Sequence, residues 1–185
     1  MNAEIQAQRS GPAYLLLATI LSCPALGFAQ VTSVVAVTLP ASVEIEAGHR
    51  RSLRIQVQIK PGYHVQANPV RNANLIPITV ELGPSGGVRP DRPVYPPSKP
   101  FRIADGSEDL VVYDDSFFIE SSVRVAQAQR PGLVVLNGTL RYQACTDRIC
   151  LAPRTIPLRV PIKVVRDHRQ SLAAEPLQYS LPHNR

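Results

Sequence analysis

Residues 53 to 60 alternate without a break: Leu53, Ile55, Val57 and Ile59 are aliphatic, and Arg54, Gln56, Gln58 and Lys60 between them are polar. A repeat of two places the four aliphatic side chains on one face of an extended strand and the four polar ones on the other, which a helix cannot do. The period returns at Val134, Leu136, Leu140 and Tyr142. It appears again at Ile156, Leu158, Val160, Ile162 and Val164, with Arg159 and Lys163 facing the other way. Eighteen prolines, 5% aromatic residues and abundant Val and Ile in a chain of 185 residues agree with short strands joined by Pro-containing turns rather than with a helical bundle.

Further strands are expected at Val34 to Leu39, Ser42 to Glu46, Ile76 to Leu82, Leu110 to Tyr113 and Phe117 to Val125, and Tyr63 to Gln66 starts an extended stretch. Turns are marked by Lys60-Pro61-Gly62, by Gly83-Pro84-Ser85-Gly86-Gly87 and by Arg130-Pro131-Gly132. From Val88 to Pro100, prolines at 90, 93, 96, 97 and 100 predict an extended surface segment without regular ladder pairing that crosses a sheet edge. Phe101 to Asp109 reads as a loop. Seven to nine short strands with frequent turns predict an all-β, immunoglobulin-like sandwich, a single domain over residues 30–165.

The ends differ from this body. Arg9, the apolar stretch Ala13 to Leu21 and the small residues of Gly27-Phe28-Ala29 predict a signal peptide over 1–29. Ile20-Leu21-Ser22-Cys23 offers a lipoprotein signal with a lipid anchor at Cys23 as the alternative. Residues 166–185 are polar and aperiodic and are expected to be disordered. No run of eighteen apolar residues lies between Val31 and Val165, so no transmembrane span is expected there. Export predicts a periplasmic, oxidising setting, either free or lipid-anchored, in which Cys145 and Cys150 are the two thiols of the folded body. The net charge of +6 favours anionic surfaces or acidic partners over nucleic acid, a solvated basic surface being the plainer reading.

Cys145 and Cys150 bracket the loop Thr146-Asp147-Arg148-Ile149 between two well-patterned strands. If those strands are adjacent, the loop brings the two Cα atoms within the roughly 4.4 to 6.8 Å a disulfide requires. As a staple, a loop of about six residues is worth only about 2 kcal/mol, against nearly 5 kcal/mol for a hundred-residue loop. A short-loop pair is better suited to exchange, because the second sulfur stays close enough to resolve a mixed disulfide. Arg148 and Arg141 favour a thiolate and Asp147 opposes it.

The segment Leu140-Arg141-Tyr142-Gln143-Ala144-Cys145-Thr146-Asp147-Arg148-Ile149-Cys150-Leu151-Ala152-Pro153 resembles the active-site hairpin of the amino-terminal domain of the DsbD family, thiol:disulfide interchange proteins of the bacterial periplasm. The stretches Pro61 to Pro69, Ile76 to Leu82, Val94 to Pro97 and Leu110 to Tyr113 are similar to that family's markers in the same order, so the resemblance runs from about Val43 to Val165. It implies an immunoglobulin-like domain that takes reducing equivalents from a thioredoxin-like donor and passes them to exported disulfide-containing proteins, with no resident cofactor. It also implies that Cys150 forms the mixed disulfide and Cys145 resolves it, with Tyr142 and Gln143 in the strand leading in. A cap loop carrying an aromatic residue is implied within Phe101 to Asp109, where Phe101 is the one aromatic. The best-known members have one more residue between the cysteines, and their cap sequence is not recognisable here. The membrane conduit and thioredoxin-like domain that follow in full-length members have no counterpart in this sequence, so electrons are expected to come from separate proteins.

Tyr63 and His64 lie in a stretch that the resemblance places near the cysteines. His64 can tune a thiolate, or it can be a plain hydrogen-bonded histidine. Asp105, Glu108 and Asp109 are candidates for assisting proton transfer, with a polar turn as the plainer reading. His49, His168 and His183 show no ligand spacing, and Asn137-Gly138-Thr139 matches a glycosylation sequon inside a strand. Motifs for zinc proteases, phosphate-cradling loops and serine nucleophiles are absent. Two other function classes remain open: a soft-metal module holding Cu(I) on the two thiolates, with or without His64, and an interaction domain with a static bridge.

Overall fold

The computed structural model describes residues 33–102 and 109–166. The expected signal segment with Cys23, the loop residues Asp105 and Glu108, and the tail with His168 and His183 lie outside the described residues. Among the described residues the ordered elements are all strands. In chain order they are β1 (Val35–Thr38), β2 (Val43–Glu46), β3 (Arg50–Ile59), β4 (His64–Gln66), β5 (Thr79–Leu82), β6 (Val88–Pro90), β7 (Lys99–Arg102), β8 (Asp109–Tyr113), β9 (Ser116–Val125), β10 (Gly132–Tyr142), β11 (Ala144–Cys145) and β12 (Arg154–Val165).

Two four-stranded sheets make the layers of a sandwich, in the orders β1-β3-β9-β6 and β2-β12-β10-β5. The alternation at 53–60 becomes β3, where Leu53, Ile55, Val57 and Ile59 are buried while Arg54 and Gln58 are exposed. Ile119, Val123 and Val125 of β9 face the same way and meet, in one continuous core, Leu136 and Leu140 of β10 and Leu158, Val160 and Ile162 of β12. The fold is therefore the immunoglobulin-like β-sandwich that the patterning predicts. The number of strands exceeds seven to nine because β4, β6 and β11 are ladders of only two or three residues, too short to carry a visible period.

Local chemistry accounts for several details. Lys60-Pro61-Gly62-Tyr63 is a tight turn in which the Tyr63 N–H donates to the Lys60 carbonyl at 3.1 Å, and Gly62 takes φ of 82°, a backbone state open to glycine. The Val165 carbonyl accepts from Ala47 N–H, so odd-numbered residues of β12 turn their main-chain groups toward β2. Pro157 and Pro161 share that parity, and β2 pairs only from Ile162 onward, so neither proline breaks the ladder to β10.

The segment from Val88 to Pro100 departs from expectation at its two ends. Val88–Pro90 pairs with β9 and Lys99–Arg102 pairs with β8, although no ladder was expected here. The reason is that β6 and β7 are edge strands, where a proline's missing N–H can face away from the sheet. Phe101 and Arg102 accordingly belong to a strand rather than to the loop.

A third, smaller sheet, ordered β11-β4-β8-β7, is fed from both layers. The chain passes from β3 into β4 and from β8 into β9 through single turns, and from β10 into β11 across one residue, Gln143. This sheet carries the cysteine pair.

Candidate redox site

The β10–β12 ladder runs in unbroken antiparallel register from Gly132↔Val164 to Tyr142↔Arg154. Beyond Tyr142 the chain leaves this ladder, and Ala144 and Cys145 pair instead with Val65 and His64 of β4. The return strand stays close, since Leu151 N–H donates to the Ala144 carbonyl at 2.8 Å and the Gln143 side-chain amide donates to the Leu151 carbonyl at 3.1 Å. The hairpin tip is closed by Thr146. Its N–H donates to the Ile149 carbonyl at 2.8 Å, and its Oγ1 accepts from the N–H groups of Arg148 at 3.2 Å and Ile149 at 3.1 Å.

This framework puts Cys145 and Cys150 opposite one another as a bridged pair with Cα atoms 4.0 Å apart, just below the lower end of the expected span, and a disulfide joins them. The two cysteines differ sharply in access. Cys145 is 2% exposed because β4 covers it, whereas Cys150 lies on the open return of the hairpin and is exposed.

His64 faces Cys145 directly across the β4–β11 ladder, and its ring packs on Phe101 of β7 with centroids 4.2 Å apart. Only 5% of His64 is exposed. Burial lowers its pKa from the usual imidazole value, outweighing the opposing pull of Asp114 and Asp147, so it stands neutral beside the pair. Phe101, Cys145, Cys150 and His64 bound a cavity of about 130 Å³ next to the disulfide. Leu75 and Leu110 supply its apolar wall, and Gln66 adds a buried amide whose Nε2 and Oε1 have no partner among the described residues. A buried donor or acceptor left unpaired costs ~1–3 kcal/mol, so this amide stands out.

Of the residues singled out from sequence, the structure gathers Cys145, Cys150, His64 and Phe101 around one cavity. Tyr63 is half-buried and lines an adjoining depression with Asp114, Asp115 and Asp147. Gln143 braces the hairpin through its bond to Leu151. Tyr142 is buried in the core, with its hydroxyl unpaired among the described residues. Asp109 points elsewhere: its carboxylate pairs with Arg102 at 2.9 Å, and that guanidinium holds its pKa below the usual carboxylate value. Arg148 is exposed at the loop tip, 3.9 Å from Asp147. Gln66, Leu75, Leu110 and Ile149 were not picked out from sequence. Gln66 was findable, since it lies two residues beyond His64 in a strand and therefore on the same face. Leu75 and Leu110 come from distant segments and carry no local signal. Among the described residues no group of three or more His, Cys, Asp or Glu side chains gathers as a metal site, and no helix is long and apolar enough to cross a membrane.

The family model for the amino-terminal domain of the thiol:disulfide interchange protein DsbD matches residues 32–160. No curated protein matches the chain by sequence. Among solved structures, the chain is similar to the N-terminal periplasmic domain of ScsB from Proteus mirabilis, with 14% identity, 68% of this chain and 44% of that chain covered, and a TM-score of 0.45. It thus spans less than half the length of that chain. A family 123 glycoside hydrolase from Clostridium perfringens is similar at 8% identity, covering 72% of this chain and 28% of that one, with a TM-score of 0.33. So is the seventh PapD-like domain of human CEP192, at 8% identity, covering 85% and 100%, also with a TM-score of 0.33.

Proposed function

The chain belongs to the DsbD amino-terminal domain family, and on that premise we propose that it is a periplasmic thiol-disulfide carrier working through Cys145 and Cys150. The observation that carries the proposal is the unequal access of the two bridged cysteines: Cys150 exposed, Cys145 covered by β4. A thioredoxin-like donor can reach only the outer sulfur. Its thiolate attacks Cys150 Sγ, the Cys145–Cys150 bond breaks, and Cys145 leaves as a thiolate. The donor's second thiol then attacks the mixed disulfide and frees Cys150. Two electrons and two protons have passed from donor to domain. In the onward direction the Cys150 thiolate attacks the disulfide of an exported protein, and Cys145 displaces the product.

Phe101 takes the shielding role in this reading, since it lines the cavity and packs on His64. Ile149, 61% exposed beside Cys150, offers an apolar contact to the visiting protein.

Exchange with a reduced thioredoxin-like protein, followed by trapping and mass spectrometry, tests the assignment. Cys150→Ser is expected to abolish exchange, and Cys145→Ser, presented with the oxidised, disulfide-bearing form of a partner protein, to accumulate a mixed disulfide at Cys150. Full and equal activity of both variants would refute it.

A further inference from the structure

Resting on the exchange reading, we infer that Gln66 is a positioning residue for the released sulfur: its Nε2–H donates to Cys145 Sγ once the bond to Cys150 opens.

The argument begins with register. His64 is the direct cross-strand partner of Cys145, and Gln66 lies two residues further along the same strand, β4. Side chains two apart in a strand share a face, so Gln66 and Cys145 are diagonal neighbours across the β4–β11 ladder. Diagonal positions in an antiparallel pair lie roughly 7–8 Å apart, a gap that a long side chain reaches across. Both residues bound the same small cavity.

The second observation is that this amide is idle in the disulfide form. Gln66 is 1% exposed, and neither Nε2 nor Oε1 has a hydrogen-bond partner among the described residues. A disulfide sulfur makes no strong demand for a donor, but a thiolate does, and Cys145 is too well covered to take one from bulk water. When a partner thiolate attacks Cys150 Sγ, the bonding pair departs with Cys145 Sγ and no proton moves in that step. A donor already in the cavity is then satisfied by the charge that appears.

The charged and titratable neighbours do not fill this role. His64 on β4 stands neutral, so it brings one N–H but no positive charge to the sulfur, and its ring is packed on Phe101. Asp147 in the loop is an anion, and Arg148 beside it is turned out to solvent. Asp114, which follows β8, is paired with Lys99 of β7. Tyr142 also has an unpaired hydroxyl, but it belongs to the sandwich core and does not bound the cavity. Gln66 is the donor whose buried amide is left without a partner at the cavity in the disulfide form, among the described residues.

The test is the pKa of Cys145 in the full chain carrying Cys150→Ser, read as pH-dependent alkylation of the Cys145 peptide by mass spectrometry. Adding Gln66→Met, which keeps the side-chain length and loses the donor, is expected to raise that pKa by about one unit, a tenfold smaller thiolate fraction at a given pH. In the intact pair, Gln66→Met is expected to slow reduction by a thioredoxin-like protein by a similar factor. Gln66→Asn keeps the amide but withdraws it by one methylene and is expected to shift the pKa in the same direction, so the test survives if one variant fails to fold. A merely structural role would lower stability and leave the Cys145 pKa in place, and an unchanged pKa in the folded variants overturns the inference. Failure of the wild-type chain to accept electrons would instead count against the exchange reading, leaving the pKa comparison to stand or fall by itself.

Discussion

At the residue scale the site is defined by what burial does to individual groups. His64 has its pKa lowered by desolvation, with Asp114 and Asp147 pulling the other way. As pH falls, the unfolded chain therefore binds a proton at this position before the folded one does. Stability is lost as pH drops below about 6.5, and the loss levels off only below the depressed folded-state value. The expected outcome is that His64→Phe, which keeps a ring against Phe101, loses less of its urea midpoint than wild type between about pH 7.5 and 5. Parallel losses would show that His64 titrates normally. The two cysteines and His64 were visible in the sequence because their chemistry is distinctive and their segment resembles a known hairpin. Gln66 was passed over because nothing about a single glutamine announces that its amide is buried without a partner; that property arises only when β4, β8 and β11 come together.

The elements hold this chemistry through two close fits. Gly138 of β10 pairs with Leu82 of β5, and a Cβ built there would sit 2.1 Å from the Glu81 carbonyl oxygen and 2.7 Å from a methyl of Leu82. Gly138→Ala must push β5 away from β10 and is expected to cost about 1–3 kcal/mol by chemical denaturation; an unchanged midpoint would mean that β5 yields freely. At the hairpin tip, Thr146 Oγ1 accepts two main-chain N–H groups. Thr146→Val keeps the shape and removes the acceptor, at a cost of about 1 kcal/mol. Hydrogen exchange at Arg148 and Ile149 is expected to quicken about fivefold, with protection in β10 unchanged. Long alternating strands such as β3, β10 and β12 were legible from their period, as was the Pro61-Gly62 turn. The ladders of β6 and β7 were not, because proline content argues against pairing and only the tertiary arrangement reveals that both strands run along sheet edges. Nor could the departure of β11 from the β10–β12 ladder be read, since the alternation continues without a mark through Tyr142 and Gln143.

For the whole molecule, the division of labour is between a sandwich core that carries the stability and a small third sheet that carries the sulfur chemistry. The core spans both layers from Val35 to Val164 and owes little to the bridge, which closes a loop with a sequence separation of 5. Reduction of the pair is therefore expected to leave the domain folded, with a loss of only about 2 kcal/mol, and unfolding on reduction would mark the bond as a structural staple. The fold class was legible from patterning because a two-layer β-sandwich follows from which faces are apolar. The reduction potential of the pair was not, because it depends on the bond's energy relative to its partners. The decisive measurement is the equilibrium reduction potential of the Cys145–Cys150 bond, read by redox titration against a thiol buffer. A carrier requires a value above roughly −300 mV, where thioredoxin-like donors can reduce it; a value well below that would make the bond a fixture and end the exchange account.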